Sequence, residues 1–404
     1  MKKRLLFISQ CYPIPLDGGG RIKTFSTMMA IANMFDIHAV FISERLPTPQ
    51  ERLRLQAIGI KKQDVFLHQG PKENIKKHLI KLIANYILLL RPHYVYQYSC
   101  TEAKKCIQQV IKSWKPDIIH VDHLNSAQYV PSTLWFFIHR LPLPKLILEN
   151  HNVIHNFYYS RYKNTRKCIR KLYLVIEGTL NLLYEFIQYP RFDHIFSISD
   201  TEVTQIASMN THVSVSPTHY PIKHQIKKAA KQIDLLFVGF LDWPPNEEGL
   251  RWFLEQSYPL LKQDFPKLSV CVIGGSDNLT RFTNDFPDVQ FLGSVKSIDT
   301  YLSKAKIFII PLLSGSGLSI KVLTALSSRI AIVSTPFGIR GYELSTMNQV
   351  LLGDTPKKFA HSISLLLKSE QLRKNIAENG HKYYLSFTRR SILEIRNNYL
   401  QVSQ

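Results

Sequence analysis

The chain has 404 residues, 45% hydrophobic and 20% charged, with a net charge of +21. That balance excludes a disordered chain, and the length suggests two or three domains. Five scattered cysteines without a CxxC pair exclude a zinc ribbon or a disulfide framework and fit a reducing, cytoplasmic compartment.

In chain order, "RLLFIS" (4–9) and "DIHAVFIS" (36–43) read as buried parallel strands, with "RIKTFSTMMAIANMF" (21–35) as the helix between them. The basic start "MKKRLLFIS" is too briefly apolar for a signal peptide and reads as the first strand. Between strand and helix stand three glycines, Gly18, Gly19 and Gly20, followed by Arg21 and Lys23. Glycine packs nothing and costs backbone entropy, so this run suggests an anion approaching the backbone closely, with a basic residue beside it. "KENIKKHLIKLIANYILLLRP" (72–92) reads as a lysine-rich amphipathic helix, suited to a membrane surface or to packing on a sheet. No apolar run has the length of a membrane span.

"DIIHVD" (117–122), "KLILEN" (145–150) and "HIFSISD" (194–200) are further strands. Their ends gather polar residues: His120, Asp122 and His123 at the first, then Glu149, His151 and Asn152 at the second. Parallel sheets bind ligands at such carboxyl ends, so substrate contact is expected there; no spacing indicates a metal. "RYKNTRKCIRKLY" (161–173) is a second basic run.

The polar, proline-containing stretch at 211–232 breaks the alternation and reads as a linker, placed at 216–233. Strands are then expected at 234–239, 269–275, 289–293, 307–312 and 330–335, with helices at 246–264 and 317–328. The expectation is an α/β protein of two tandem Rossmann-like domains, 1–215 and 234–385, with a cleft between them. A final helix at 386–404 is free to return to the first domain. Residues 234–404 hold 19 Lys+Arg and 15 Asp+Glu, leaving 32 and 15 for the first 233, so the halves carry +4 and +17. An anionic partner is expected for the first half, a membrane surface before nucleic acid, since no nucleic-acid motif is present. "LLSGSGLSIKVL" joins a strand to a helix, with Ser314 to Gly317 presenting N–H groups to a phosphate at the helix start and Lys321 one turn in; that is the geometry of a phosphate site.

The ordered set "YPIPLDGGGRIKTF", "PDIIHVDHLNSAQY", "LENHNVIHNFYYSRY", "FDHIFSISDTE", "FVGFLDWPPNEEGLRWF", "VCVIGG" and the stretch 289–344 resembles the family 4 glycosyltransferases of GT-B fold. The resemblance covers nearly the whole chain. It implies retaining transfer from a nucleotide-diphosphate sugar, with no cofactor or essential metal, to a glycan or glycolipid acceptor, by a peripheral protein on the inner face of the membrane. The missing D-x-D agrees with this. Carried over, donor contacts fall to Gly18, Gly19, Gly20, Arg21, Gly239, Asn246, Gly274, Gly293, Val295, Ser316, Gly317, Leu318 and Thr324, and acceptor contacts to His120, His151 and Asn152. Lys321 is a catalytic residue with Asp122 and His123, either of which fills the family's cleft-histidine position. Ser316 and Thr324 stand where the family pattern has two glutamates, the second on the donor ribose.

Overall fold

The computed structural model describes residues 2–16, 18–68, 91–163, 168–220, 230–275, 279–295, 297–315 and 318–403. The helix expected at 72–92 lies outside them apart from its last two residues. The chain divides into unit 1, Met1–Thr218 with Ser391–Gln404, and unit 2, His219–Arg390.

Unit 1 holds β1 (Arg4–Ser9), β2 (Asp36–Ser43), β3 (Lys62–Leu67), β4 (Ile118–Asp122), β5 (Lys145–Asn150), β6 (His194–Ser197) and β7 (Val213–Val215). They form one parallel sheet in the order β3-β2-β1-β4-β5-β6-β7. The continuous apolar runs follow from this, since Leu5 to Ile8 and Ile118 to Val121 are buried on both faces. The order reverses direction between β1 and β4. Their carboxyl ends, with Ser9 in register beside Asp122, therefore open the crevice where such sheets take ligands.

Unit 2 repeats the plan with β8 (Ile233–Val238), β9 (Val270–Ile273), β10 (Gln290–Phe291), β11 (Ala305–Ile310), β12 (Ala331–Ser334) and β13 (Leu351–Leu352), all parallel, in the order β10-β9-β8-β11-β12-β13. The expected helix at 246–264 runs as Pro244–Trp252, a wider turn at Phe253–Ser257, and Tyr258–Asp264. Pro259 has no N–H to give a regular ladder, which accounts for the wider turn.

Several boundaries differ from the expectation. The strand at 194–200 ends at Ser197, because the Ser199 side chain accepts the Glu202 N–H and caps a helix from Asp200 to Ile206. The expected linker is in part structured: β7 pairs with β6, and Ser216, Thr218, His219 and Tyr220 are buried. The last helix begins at Glu370, not 386, and runs to Ser403. Its final turns belong to unit 1, where Tyr399 enters the core and Arg396 Nε donates to Ala30 O at 2.9 Å. No helix among the described residues is long and apolar enough to cross a membrane.

Candidate functional site

In unit 1 the ends of β1, β4 and β5 meet the first turns of the helix Gly19–Ile31. Asp122 sits at the centre, fully buried. Its Oδ2 accepts from Ser9 Oγ at 2.6 Å and Thr24 Oγ1 at 2.8 Å, and lies 3.2 Å from His123 Nδ1. Its Oδ1 lies 2.8 Å from His151 Nε2. Burial alone would raise this carboxyl, yet the charges and hydrogen bonds of His123 and His151 hold it well below its ordinary range. Burial, then the charge of His123, pushes His151 down.

His123 has φ 68°, an outlier for a residue with a side chain, and its N–H donates to Glu149 O at 3.0 Å. That backbone swings the ring onto His151, with centroids 3.5 Å apart. With Nδ1 held by Asp122, His123 Nε2 bonds to nothing among the described residues and faces Gly20, whose added Cβ would come within 3.4 Å of it. This is a relay: a buried carboxylate fixes the orientation of an imidazole and leaves its outer nitrogen for a proton or a hydroxyl. Asp122, His123 and His151 bring ligating atoms within 4.8 Å of one another, as a divalent cation would require. The stacked rings, however, send their in-plane lone pairs out side by side, which suits a relay better than convergence on one ion.

Other expectations for unit 1 are corrected. His120 is not at the crevice: the strand turns it into the core, where it stacks 4.1 Å from Phe7 and its Nδ1 meets Tyr399 OH at 2.7 Å. Burial pushes it down to about 4, so it is neutral. Gly18 caps the helix with open space around it, so a Cβ there obstructs nothing; of Gly18 and Gly20, only Gly20 is closely approached. Gly19 is the first helical residue and Arg21 lies half-buried in the same turn. Lys23 turns inward, 2.7 Å from Glu149 Oε1, and donates to Ser216 Oγ, Ser216 O and Pro217 O at 2.8, 2.9 and 3.1 Å. Asn152 is exposed and bonds to none of these groups.

In unit 2 the ends of β8, β9 and β10 run into glycines. Gly239 N–H donates to Ile273 O at 2.8 Å and Gly274 N–H to Gly293 O at 2.9 Å. A Cβ on Gly274 would stand 1.8 Å from Gly239 O, so no side chain fits there. Gly293 adopts φ 62°, open to glycine at no steric cost. A Cβ on Gly239 would lie 3.0 Å from Lys321 Cε: the lysine stem crosses the bare backbone at the end of β8. Lys321 is half-buried, has no hydrogen-bond or ion-pair partner among the described residues, and is pushed down to about 8 by burial. A desolvated, unpaired ammonium is a costly group that an anion would relieve.

Asn246 Nδ2 donates to Phe240 O at 2.7 Å and fixes the loop after β8. Thr324 is buried in the helix Ile320–Ser327, and its hydroxyl donates to Ile320 O at 3.1 Å. Val295 is half-buried beyond β10, and Leu318 packs where a Cβ on Gly341 would stand. Ser316 and Gly317 lie outside the described residues. Two residues escaped the sequence reading. Ser319 is the N-cap of the Lys321 helix, yet its hydroxyl makes no cap and is buried without a partner among the described residues; a serine just before "IKVL" was the available signal. Arg340 lays its guanidinium 3.9 Å from the Phe337 ring and donates to Gly315 O at 2.9 Å, beside the same turn; nothing local marked it.

Residues 232–369 match the family described as Glycosyl transferases group 1. The matched stretch lies within unit 2. The whole chain is similar to the crystal structure of Anabaena HepE in complex with UDP-glucose, 13% identical over 98% of this chain and 99% of that one, with a TM-score of 0.64. It is similar to S. aureus TarM at 10% identity over 100% and 99%, with a TM-score of 0.66. Both are glycosyltransferase structures of GT-B fold, and the fold of this chain is thus GT-B. A curated relative, an uncharacterized 44.6 kDa protein in the cps region of Klebsiella pneumoniae, is 23% identical over 249 residues. That match takes in 59% of this chain and spans 63% of the relative's length.

Proposed function

We propose that the protein transfers a sugar, with retention and without a resident metal or cofactor, from a nucleotide-diphosphate donor held by unit 2 to a lipid-linked or surface-glycan acceptor taken by unit 1. The observation that carries this reading is Lys321, a desolvated cation without a partner among the described residues, in the first turn of a helix beside glycine-lined strand ends. Its ammonium, the backbone N–H groups of that helix and the idle Ser319 hydroxyl are suited to the charge that develops on a leaving diphosphate. The UDP-glucose bound by HepE supports a nucleotide sugar as donor. The relay of Asp122, His123 and His151 would meet an acceptor hydroxyl through His123 Nε2. The +17 of the first 233 residues supports work at an anionic membrane surface, from the cytoplasmic side, in polysaccharide assembly.

Melting curves with UDP, GDP and ADP test the reading, since a ligand of the native state must stabilise it, by about 2.7 kcal/mol at a hundredfold excess over its dissociation constant. One of the three should raise the melting temperature, and the matching nucleotide sugar should be hydrolysed slowly. Silence from all three would sink it. A second reading, a GT-B protein that binds nucleotide or glycan without turnover, is favoured by Thr324, whose hydroxyl is spent inside its own helix. Stabilisation without hydrolysis or transfer would select it.

A further inference from the structure

The helix Cys168–Gln188 in unit 1 is built inside out. Its buried face carries Glu177, Asn181 and Glu185. Its opposite face leaves Ile169, Leu172, Ile176, Leu183, Phe186 and Ile187 exposed, Ile169 by 88% and Phe186 by 64%. Their spacing places them on one side of a helix about 30 Å long. The polar face stays inside because it is satisfied there. Glu177 Oε1 accepts the His93 N–H at 3.0 Å, and its Oε2 accepts from Asn181 Nδ2 at 3.3 Å. Glu185 Oε1 accepts the N–H groups of Ile154 and His155 at 2.7 and 3.2 Å, capping the neighbouring helix Ile154–Lys163. Rolling the helix over to hide its apolar face would strand two carboxylates and free several donors.

The surrounding charge says what covers that face. No Asp or Glu occurs between Glu149 and Glu177, and Arg161, Lys163, Arg166, Lys167, Arg170 and Lys171 all fall in that interval. Of these, Lys171 holds its ammonium 5.2 Å from the Tyr162 ring, at the same end of the helix as exposed Ile169. A second copy of this chain would bring the same positive charge to the contact. Nucleic acid would neutralise the charge and leave the apolar face in water. An anionic bilayer offers both headgroup phosphates and an acyl boundary. We infer that the exposed face of Cys168–Gln188 is the membrane-docking surface of this protein, seated at the headgroup–acyl boundary of an anionic bilayer with Arg170 and Lys171 on lipid phosphates. This deepens the peripheral-membrane reading above and rests on it.

The test is flotation of the full chain with phosphatidylglycerol–phosphatidylcholine vesicles and with phosphatidylcholine alone. The double variants Ile176→Gln/Phe186→Gln and Arg170→Glu/Lys171→Glu are compared with wild type, each checked by melting. Wild type should bind the anionic vesicles, and each variant should lose about tenfold or more of that binding. An environment-sensitive dye on exposed Cys168 should shift to the blue on binding. Binding by wild type that both variants retain would overturn the inference and leave the peripheral-membrane reading standing. No binding by wild type would overturn both. A lipid-free dimer dissolved by Ile176→Gln/Phe186→Gln would assign the face to a second copy instead. Nucleotide affinity, unchanged in these variants, keeps every outcome separate from the donor-site proposal.

Discussion

Lys23 and Lys321 share a local sequence pattern in two parallel sheets, one after β1 and the other after β11. Each follows a glycine-rich strand-to-helix turn, each sits in the early turns of the helix, and each is preceded by isoleucine. Their surroundings are opposite. Lys23 is 2% exposed and paired with Glu149 and three oxygens of Ser216 and Pro217. Lys321 has no partner among the described residues and loses proton affinity to burial alone. A shared local pattern thus yields an internal strut in one sheet and a waiting anion site in the other. What decides is whether distant segments supply a carboxylate. The wider contrast is the same: the strand ends of unit 1 are closed by their own hydrogen bonds around Asp122, and those of unit 2 are bare backbone.

The largest effect should come from breaking the strut. Lys23→Met leaves Glu149 buried and unpaired, and denaturant titration should show a loss of about 3–5 kcal/mol, typical of removing one partner of a buried pair. Nucleotide affinity of the folded fraction should stay as it was. A stability change within noise would mean that Lys23 is no strut and that the contrast is false.

His120 gives the next effect. Its value falls from 6.5 to about 4 in the fold, so the unfolded chain binds the extra proton between those limits. Its contribution is present above about pH 6.5 and lost as pH falls towards 4, about 3 kcal/mol in all. Urea midpoints across that window measure it. His120→Leu should flatten the dependence; an equally steep fall in the variant would move its origin to another group.

Asp122→Asn tests the relay. The amide cannot hold both imidazoles as a carboxylate does, and turnover should fall about 10- to 100-fold, as when an orienting partner is lost. Its mark, distinct from mere unfolding, is a changed pH–rate profile with nucleotide affinity intact. Gly18→Ala should do least, within about 0.5 kcal/mol of wild type in stability, because its Cβ meets open space. A large loss there would show that something approaches Gly18 closely after all.

Much of the fold was legible because parallel strands buried on both faces appear as continuous apolar runs, as in "RLLFIS" and "IFII". Three edge strands were not. Lys62–Leu67 opens with three polar residues, Val213–Val215 sits in a polar, basic stretch, and Leu351–Leu352 is only two residues long. The periodicity of Cys168–Gln188 announces a helix but not which face turns inward, since Glu177 and Glu185 are held by the distant His93 and by Ile154. At the site, the glycine turns and Lys321 carry local signals. The fates of Lys23, His120 and Thr324 depend on Glu149, on Phe7 and Tyr399, and on a carbonyl of the same helix, which no spacing rule reports.

The central claim is that Lys321 is unpaired because a diphosphate completes it. Calorimetric titration of the stabilising nucleotide diphosphate, into wild type and Lys321→Ala at pH 7 and pH 9.5, tests this most directly. An ammonium near 8 is charged at the lower pH and largely neutral at the higher, so wild-type affinity should fall as pH rises through about 8. The variant should bind about 1.5–3 kcal/mol more weakly at pH 7, as for a lost hydrogen bond to a charged group, and should show no such fall. Equal affinity in the two proteins at pH 7, or an identical pH dependence in both, would contradict the account.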